Sequence, residues 1–197
     1  MLLETIQIHN GEIIAIDYHN KRFNEARKAL WGIEDFCDLA SVIQIPDECQ
    51  EGIFRCRVVY AQEIESVGFS PYLFKDIKQV KAVEAPPIDY AFKWLDRQVF
   101  SDLLATNSEV DELIILQNGW VSDCTIACLA FFDGNQWFVP ATPLLKGTKR
   151  QQLLDKGLVT EKAIHFDDLQ HYSHVCFINT FRDLSLSQSI PTTRILS

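Results

Sequence analysis

Lys93 stands among aromatic residues in the stretch IDYAFKWLDRQVFSDLL, residues 88–104. A lysine amine that is withdrawn from water has a lowered pKa, and its neutral form is a nucleophile toward carbonyl groups. The neighbours Tyr90, Phe92 and Trp94 could withdraw Lys93 in this way. A solvated amine is the commoner situation for a single lysine, because lysines are seldom buried. The residue type therefore permits covalent chemistry at a carbonyl without establishing it.

Two short stretches carry residues suited to binding a phosphate. In DYHNKRF, His19 and Arg22 lie three residues apart at a predicted helix start, where a guanidinium can hold a phosphate by two hydrogen bonds. In LLKGTKRQQLL, Gly147 precedes a predicted helix whose first N–H groups, at Thr148 and Lys149, would point outward at an anion. An ordinary basic helix start and a plain turn would explain the same residues.

Three further polar residues are candidates for a site. Asp123, among strand-forming residues, is either a turn residue or the partner of a buried cation. Arg55 and Arg57 are two positions apart and so share one strand face, where they could bind a substrate carboxylate. An exposed charged face is the commoner explanation for the two arginines. His171 and His174 have helical spacing, but nothing nearby completes a ligand set, so we predict no metal.

Composition restricts the function classes. The chain has 197 residues and a net charge of −9, and a general nucleic-acid binder would need a basic face. The six cysteines include no Cys-x-x-Cys pair, which favours reduced thiols in the cytoplasm. The N-terminus lacks the basic and apolar regions of a signal peptide. No apolar run reaches the roughly 18 residues of a membrane span, so we expect no membrane partner.

The elements that would position these residues fall into two groups. The first group is a hairpin turning at HNGE, a helix ending at Gly32, and a strand pair in GIFRCRVVYAQEIESVGFSPY. The linker candidate KAVEAPPIDY contains Pro86-Pro87, which cannot continue a helix. The sequence thus predicts a small α+β domain over residues 1–84 and a larger domain over residues 85–197.

The second group starts with an amphipathic helix, predicted over 88–104 from its three- and four-residue apolar spacing. Three strands are predicted in DELIILQNGWVSDCTIACLAFFDGNQWFVPA, with turns at 117–119 and 133–135. A short helix follows Gly147, and then come a strand, a helical turn and a last strand, ending near INTF.

The order of these motifs resembles the class IV aminotransferase family of pyridoxal phosphate (PLP) enzymes, from residue 2 to about residue 180. The opening hairpin through His-x-x-Arg is similar to the family's cofactor-phosphate segment, and FKWLDR to its Lys-x-x-Asn-Arg stretch. DELIILQNGWVSDCTIACLAFF resembles the family's Asp-Glu run with its glutamate, and TPLLKGTKRQQLL its Gly-Ile-Thr-Arg phosphate loop. The resemblance implies a two-domain fold-type IV enzyme: a small α+β domain, a larger mixed, β-barrel-like domain, and the cofactor between them.

The resemblance also implies roles for individual residues. Lys93 would form the Schiff base with pyridoxal 5′-phosphate and then move protons at the substrate carbon. Arg22, Gly147, Thr148 and Lys149 would hold the phosphate; Asp123 would contact the pyridine nitrogen; Asn179 and Thr180 would add polar contacts to the cofactor. Asp123 is one methylene shorter than the family glutamate, and Lys149 replaces a frequent threonine. The chain begins later than the family's usual first strands, so it is expected to be a short, N-terminally truncated member.

The resemblance leaves the reaction open. Thr5, in LET, stands where branched-chain transaminases carry a glycine, which favours the lyase branch, although it could simply be a β-branched strand residue. The leading interpretation is a cytoplasmic, homodimeric aminodeoxychorismate lyase that uses Arg55 and Arg57 for the carboxylates of its small-molecule substrate. An amino-acid aminotransferase is the alternative, and a PLP-binding protein without turnover is the third.

Overall fold

The structure is a computed structural model and describes residues 1–196. The chain divides into two compact units: unit 1 is Met1–Phe74 with Phe92–Asp96, and unit 2 is Lys75–Ala91 with residues 97–196. The helices are α1 (Ile16–Trp31), α2 (Leu39–Val42), α3 (Gln98–Ala105) and α4 (Thr148–Asp155). The strands are β1 (Leu2–His9), β2 (Glu12–Ile13), β3 (Ile53–Tyr60), β4 (Ile64–Pro71), β5 (Val80–Glu84), β6 (Glu112–Gln117), β7 (Trp120–Cys124), β8 (Cys128–Phe132), β9 (Trp137–Pro140), β10 (Thr160–Lys162), β11 (His174–Ile178), β12 (Ile190–Pro191) and β13 (Ile195–Leu196).

Unit 1 is an antiparallel sheet, in the order β2-β1-β3-β4, with α1 against it. The predicted hairpin turn is confirmed, because Asn10 and Gly11 both have positive φ, 51° and 77°, as a two-residue Asn-Gly turn requires. The predicted helix end is confirmed as well, with Gly32 in the left-handed region at φ 68°. The second hairpin strand is only two residues long, because α1 already begins at Ile16.

The helix predicted over 88–104 is wrong in its first half, since α3 begins only at Gln98. The segment before it pairs with the outer edge of β1: Leu3 N–H donates to the Lys93 carbonyl at 2.9 Å, and Trp94 faces Leu2. Hydrogen bonding to an open sheet edge replaces the helical hydrogen bonds, and Phe92 and Trp94 pack against the unit 1 core instead. Lys93 therefore lies on an extended segment, held beside β1.

Unit 2 contains two open sheets, in the orders β10-β9-β8-β11-β12 and β13-β5-β6-β7. Their inner faces share one apolar core, which includes Ile114 from one sheet and Phe131 from the other. The mixed α+β class is confirmed, while within residues 1–196 these strands do not close into a barrel. The helix after Gly147 is confirmed as α4.

The prediction of three strands between residues 111 and 141 is wrong, because four strands, β6 to β9, occupy this stretch. The Thr125 hydroxyl donates to buried Glu112 at 2.6 Å, and this bond fixes a bend that separates β7 from β8. No helix in residues 1–196 is both long and apolar enough to cross a membrane.

The predicted boundary after residue 84 stays a prediction about domains. The two compact units differ from it in two places. Residues 75–84 join unit 2 because β5 pairs in parallel with β6, and residues 92–96 join unit 1 through their bonds to β1. Residue 197, the end of the predicted second domain, lies outside the described chain.

Candidate active site

A buried polar cluster joins β1 to α1 in unit 1. Alternate residues of β1 face the helix, and among them Glu4 is fully buried between apolar neighbours. The Glu4 carboxylate accepts hydrogen bonds from Arg22 Nε at 2.7 Å and Arg22 Nη2 at 2.6 Å. It also contacts Nδ1 of buried His19 at 2.6 Å. One carboxylate thus fixes both polar residues of the His-x-x-Arg motif.

The charges in this cluster are balanced. Burial alone would raise the pKa of Glu4, but the Arg22 charge and the hydrogen bonds from His19 and Arg22 outweigh it, and the pKa is about 2. Burial lowers the pKa of His19, against the opposing effect of Glu4, which favours the neutral ring. Because a carboxylate only accepts, the His19 proton lies on Nδ1. Nε2 is then an acceptor, buried and without a hydrogen-bond partner among the described residues.

Lys93 lies close to this cluster. Its carbonyl accepts the N–H of Leu3, the residue before Glu4, and its charge contributes to lowering the pKa of His19. The Lys93 side chain is half-buried, as its aromatic neighbours suggested. The structure thus brings Lys93 and Arg22, which are far apart in sequence, to the same end of β1.

Thr5, Arg55 and Arg57 lie on the opposite face of the same sheet. Thr5 pairs directly with Arg57 across β1 and β3, and Gln7 pairs with Arg55. The predicted shared face of the two arginines is confirmed by this register. The Arg55 guanidinium lies 5.2 Å from the centre of the Tyr72 ring, while Arg57 is exposed. This face therefore presents two cations and a hydroxyl.

Asp123 is a buried carboxylate near the end of β7 in unit 2, and only 4% of it is exposed. Oδ2 accepts the Leu145 N–H at 3.0 Å, whereas Oδ1 has no partner among the described residues. Burial raises the pKa of Asp123 to about 7, although the Leu145 bond, a hydrogen bond with the Cys128 thiol and the Arg150 charge oppose the shift. A buried carboxylate oxygen that has no hydrogen-bond donor is suited to accept a hydrogen bond from a protonated ring nitrogen.

Gly147 is the N-cap of α4, in the same unit. A Cβ at this position would lie 2.8 Å from the Cys128 sulfur, so only glycine fits beside that buried thiol. The first N–H groups of α4, at Thr148 and Lys149, have no acceptor within the helix and so suit an anion. The Lys149 amine pairs with Asp183 at 2.6 Å, which directs its side chain to that residue.

Asn179 and Thr180 directly follow β11. The Asn179 amide donates to the Ile126 carbonyl at 3.2 Å, and its oxygen accepts the Phe181 N–H at 2.9 Å. Asn179 thereby ties the end of β11 to the bend between β7 and β8, the bend that follows Asp123. Thr180 is half-buried beside it. Unit 2 thus collects Asp123, the start of α4 and the end of β11.

Sequence reasoning gave Glu4 and His19 no separate role at the site. A signal for Glu4 was present: it is an acidic residue at a core-facing position of a strand, between Leu2 and Ile6. A carboxylate at a core-facing position of a strand requires a cation or hydrogen-bond donors as partners. The His-x-x-Arg motif supplies both partners, Arg22 as the cation and His19 as the donor.

Residues 1–188 match the family described as amino-transferase class IV. The chain belongs to the class IV aminotransferase family. A Haemophilus influenzae protein is 34% identical over 186 residues, covering 93% of this chain and 98% of that protein. A candidate aminodeoxychorismate lyase of Schizosaccharomyces pombe is 26% identical over 203 residues, covering 92% of this chain and 86% of its own. The family predicted from the sequence motifs is confirmed.

Solved structures agree in fold. The crystal structure of a candidate 4-amino-4-deoxychorismate lyase from Haemophilus somnus is 34% identical and has a TM-score of 0.86, covering 93% of this chain and 97% of its own. A hypothetical aminotransferase from Mycobacterium tuberculosis, in its PLP-bound form, has a TM-score of 0.76 at 16% identity, covering 98% of this chain and 80% of its own. The fold-type IV architecture is thus shared with these class IV aminotransferase relatives.

Pyridoxal phosphate is the cofactor of this family, and membership implies the same cofactor here. Two features of this chain fit it. The unpartnered Oδ1 of buried Asp123 suits a pyridinium N–H, and the glycine-capped start of α4 suits a phosphate. The individual roles of Lys93, Arg22 and the other site residues stay predictions.

Proposed function

We propose that this protein is a pyridoxal phosphate-dependent 4-amino-4-deoxychorismate lyase, which forms 4-aminobenzoate and pyruvate. The single observation that carries the proposal is the sheet face on which Thr5 pairs with Arg57, beside Arg55. The substrate carries two carboxylates, and two arginines on one strand face can each bind one. The lyase names of the Haemophilus somnus and Schizosaccharomyces pombe relatives support the same reaction.

The residues of this chain have distinct tasks in the proposed reaction. Arg22 and the first N–H groups of α4 hold the cofactor phosphate, and Asn179 and Thr180 add polar contacts. Asp123 would accept a hydrogen bond from the protonated ring nitrogen of the cofactor through Oδ1, which has no partner among the described residues. When bound, pyridoxal phosphate supplies an electron sink for the carbon that bears the substrate amine.

Lys93 would hold the cofactor covalently and would act as the base of the proposed reaction. Its amine takes the proton from the carbon that bears the substrate amine. The carbon–oxygen bond between the substrate ring and the enolpyruvyl group then breaks, and the substrate ring becomes aromatic. The released enolpyruvate takes up a proton and becomes pyruvate. Thr5 is placed on the Arg57 face, where its hydroxyl can hydrogen-bond the departing oxygen. No second substrate is needed.

An amino-acid aminotransferase is the alternative, because Lys93 and Asp123 serve both reactions equally. A transaminase must also admit a keto acid to the same pocket. We extend the proposal to a cytoplasmic homodimer acting on a small-molecule substrate. Support for the compartment comes from the six cysteines, which form no disulfide in residues 1–196 and five of which are buried.

The test offers the purified protein aminodeoxychorismate and follows 4-aminobenzoate by its fluorescence. In parallel, L- and D-amino acids are supplied with 2-oxoglutarate or pyruvate. Release of 4-aminobenzoate without a keto acid is the expected result. Amino transfer that depends on a keto acid, without 4-aminobenzoate, would replace the lyase by the transaminase. Silence in both assays from a coloured protein would leave cofactor binding without turnover.

A further inference from the structure

We infer that Glu4 is a positioning residue for the cofactor phosphate and acts through Arg22. The inference rests on the proposed function, which gives Arg22 to the phosphate. It adds a residue that the motifs do not assign and that lies 18 positions away from Arg22. Three features of the cluster support the inference: the geometry of the Arg22 fork, the burial of the carboxylate, and the contact with His19.

The Glu4 carboxylate holds the Arg22 guanidinium in a fixed orientation. Arg22 uses Nε–H and one Nη2–H on the two oxygens of Glu4, at 2.7 Å and 2.6 Å. A guanidinium has five N–H donors in a rigid plane, so this pairing occupies two donors and sets the direction of the other three. A free arginine side chain has many rotamers, and a side chain already fixed by Glu4 does not lose that rotamer entropy again when a phosphate binds.

Glu4 itself cannot move to follow its partner. It is fully buried in β1, and its Oε2 contacts His19 Nδ1 at 2.6 Å as well as Arg22. His19 is buried on the preceding turn of α1, three residues before Arg22. His19 thus holds the carboxylate from a second side. The Arg22 side chain, which is only 17% exposed, is thereby kept in one orientation.

The negative charge of Glu4 opposes this benefit, because it repels a phosphate. A phosphate must approach Arg22 from a side that Glu4 does not occupy, so it lies farther from the carboxylate than from the guanidinium. Repulsion over the longer distance is weaker than the attraction, and the partial exposure of Arg22 screens it further. The orientation of Arg22, in contrast, depends on both oxygens of Glu4, because each of them accepts one Arg22 donor. We therefore expect the positioning effect to exceed the repulsion.

The test measures how much the phosphate group itself adds to binding. Pyridoxal phosphate and pyridoxal are each titrated onto cofactor-free protein. The dissociation constant of pyridoxal divided by that of pyridoxal phosphate measures what the phosphate group adds to binding. We expect Arg22→Ala to reduce this ratio by about 10- to 100-fold, and Glu4→Gln by on the order of 10-fold. In the Arg22→Ala background, Glu4→Gln should reduce it no further. Glu34→Gln, which breaks an exposed pair with Lys28, is the matched control and should change nothing.

The outcomes separate the inference from the proposed function. If Arg22→Ala leaves the ratio unchanged, the phosphate role of Arg22 is wrong, and the inference is overturned with it. If Arg22→Ala reduces the ratio but Glu4→Gln leaves it unchanged or raises it, only the inference is overturned. An equal effect of Glu4→Gln with and without Arg22 would mean a general structural role and also overturns it. If Glu4→Gln does not fold, Glu4→Asp, which withdraws the carboxylate by one methylene, takes its place with the same criteria.

Discussion

Thr5 and Arg57 are directly opposite one another across β1 and β3, on the sheet face that points away from α1. Glu4, the neighbour of Thr5, points to the other face and holds Arg22. Successive residues of one strand thus serve two tasks on two faces of the sheet. The substrate proposal depends on the first face, and the phosphate proposal depends on the second.

Arg57→Ala should raise the KM for aminodeoxychorismate by about 10- to 100-fold, because a charge-assisted bond to a carboxylate contributes roughly 1.5–3 kcal/mol. The rate at saturation should change less, since the arginine binds the substrate before and during the reaction. Steady-state kinetics by 4-aminobenzoate fluorescence measures both constants. Arg194→Ala removes an exposed arginine from unit 2 and is the control. An unchanged KM in Arg57→Ala would make Arg57 an ordinary surface charge.

Borohydride should fix the cofactor to Lys93. The reduced lysine resists trypsin, so the adduct should appear on a single peptide that spans residues 82–97, between the cleavage sites at Lys81 and Arg97. Mass spectrometry of the digest locates it. Lys81 pairs with Glu109 in unit 2 and serves as an internal comparison. An adduct on Lys81, or on any lysine other than Lys93, contradicts the assignment.

The motifs predicted the family, the α+β class, the Asn-Gly turn and the helix after Gly147, because each is encoded locally. The helix over 88–97 was mispredicted because its apolar spacing is local, whereas Trp94 pairs with Leu2 on the open edge of β1, 92 positions away. Glu4 received no role for a related reason. Its partner Arg22 becomes adjacent only after α1 packs on the sheet.

Asp123→Asn should stabilise the cofactor-free protein at pH 8 by up to about 4 kcal/mol, because one pKa unit corresponds to roughly 1.4 kcal/mol. Burial raises the pKa of Asp123 from 3.8 to about 7. The contribution of Asp123 to the stability of the wild type is therefore complete below pH 3.8 and is lost as the pH rises through 7. Urea unfolding of both proteins between pH 4 and 8 measures the difference, which should shrink toward pH 4. A difference independent of pH would mean that Asp123 is not the titrating group.

Glu4 should give the opposite pH dependence. Its pKa is lowered from 4.5 to about 2, chiefly by Arg22 and His19 acting against burial. The stability it contributes is complete above pH 4.5 and is lost as the pH falls toward 2, by about 3 kcal/mol in total. Glu4→Gln should therefore flatten the acid side of the stability curve. Glu34→Gln, at an exposed pair, should not flatten it, and an unchanged slope in Glu4→Gln contradicts the assigned pKa.

Gly147→Ala should destabilise the protein through one contact, that of the new Cβ with the Cys128 sulfur at 2.8 Å. Gly147 has φ −66°, which any residue can adopt, so backbone strain contributes nothing. Overpacking of this kind costs about 1–3 kcal/mol. Cys128→Ala removes the sulfur. The double variant should therefore lose less free energy of unfolding than the two single variants lose when their losses are added.

The same pair of variants tests the start of α4 as a phosphate site. A shifted Gly147 displaces the first N–H groups of the helix, so Gly147→Ala should weaken pyridoxal phosphate binding more than pyridoxal binding, and Cys128→Ala in the same chain should restore the preference. Gly68→Ala, where a Cβ meets nothing within 4 Å, is the control for stability and binding. Strict additivity of the Gly147 and Cys128 effects would show that the two residues do not compete for space, and equal weakening of both ligands would remove α4 from the phosphate site.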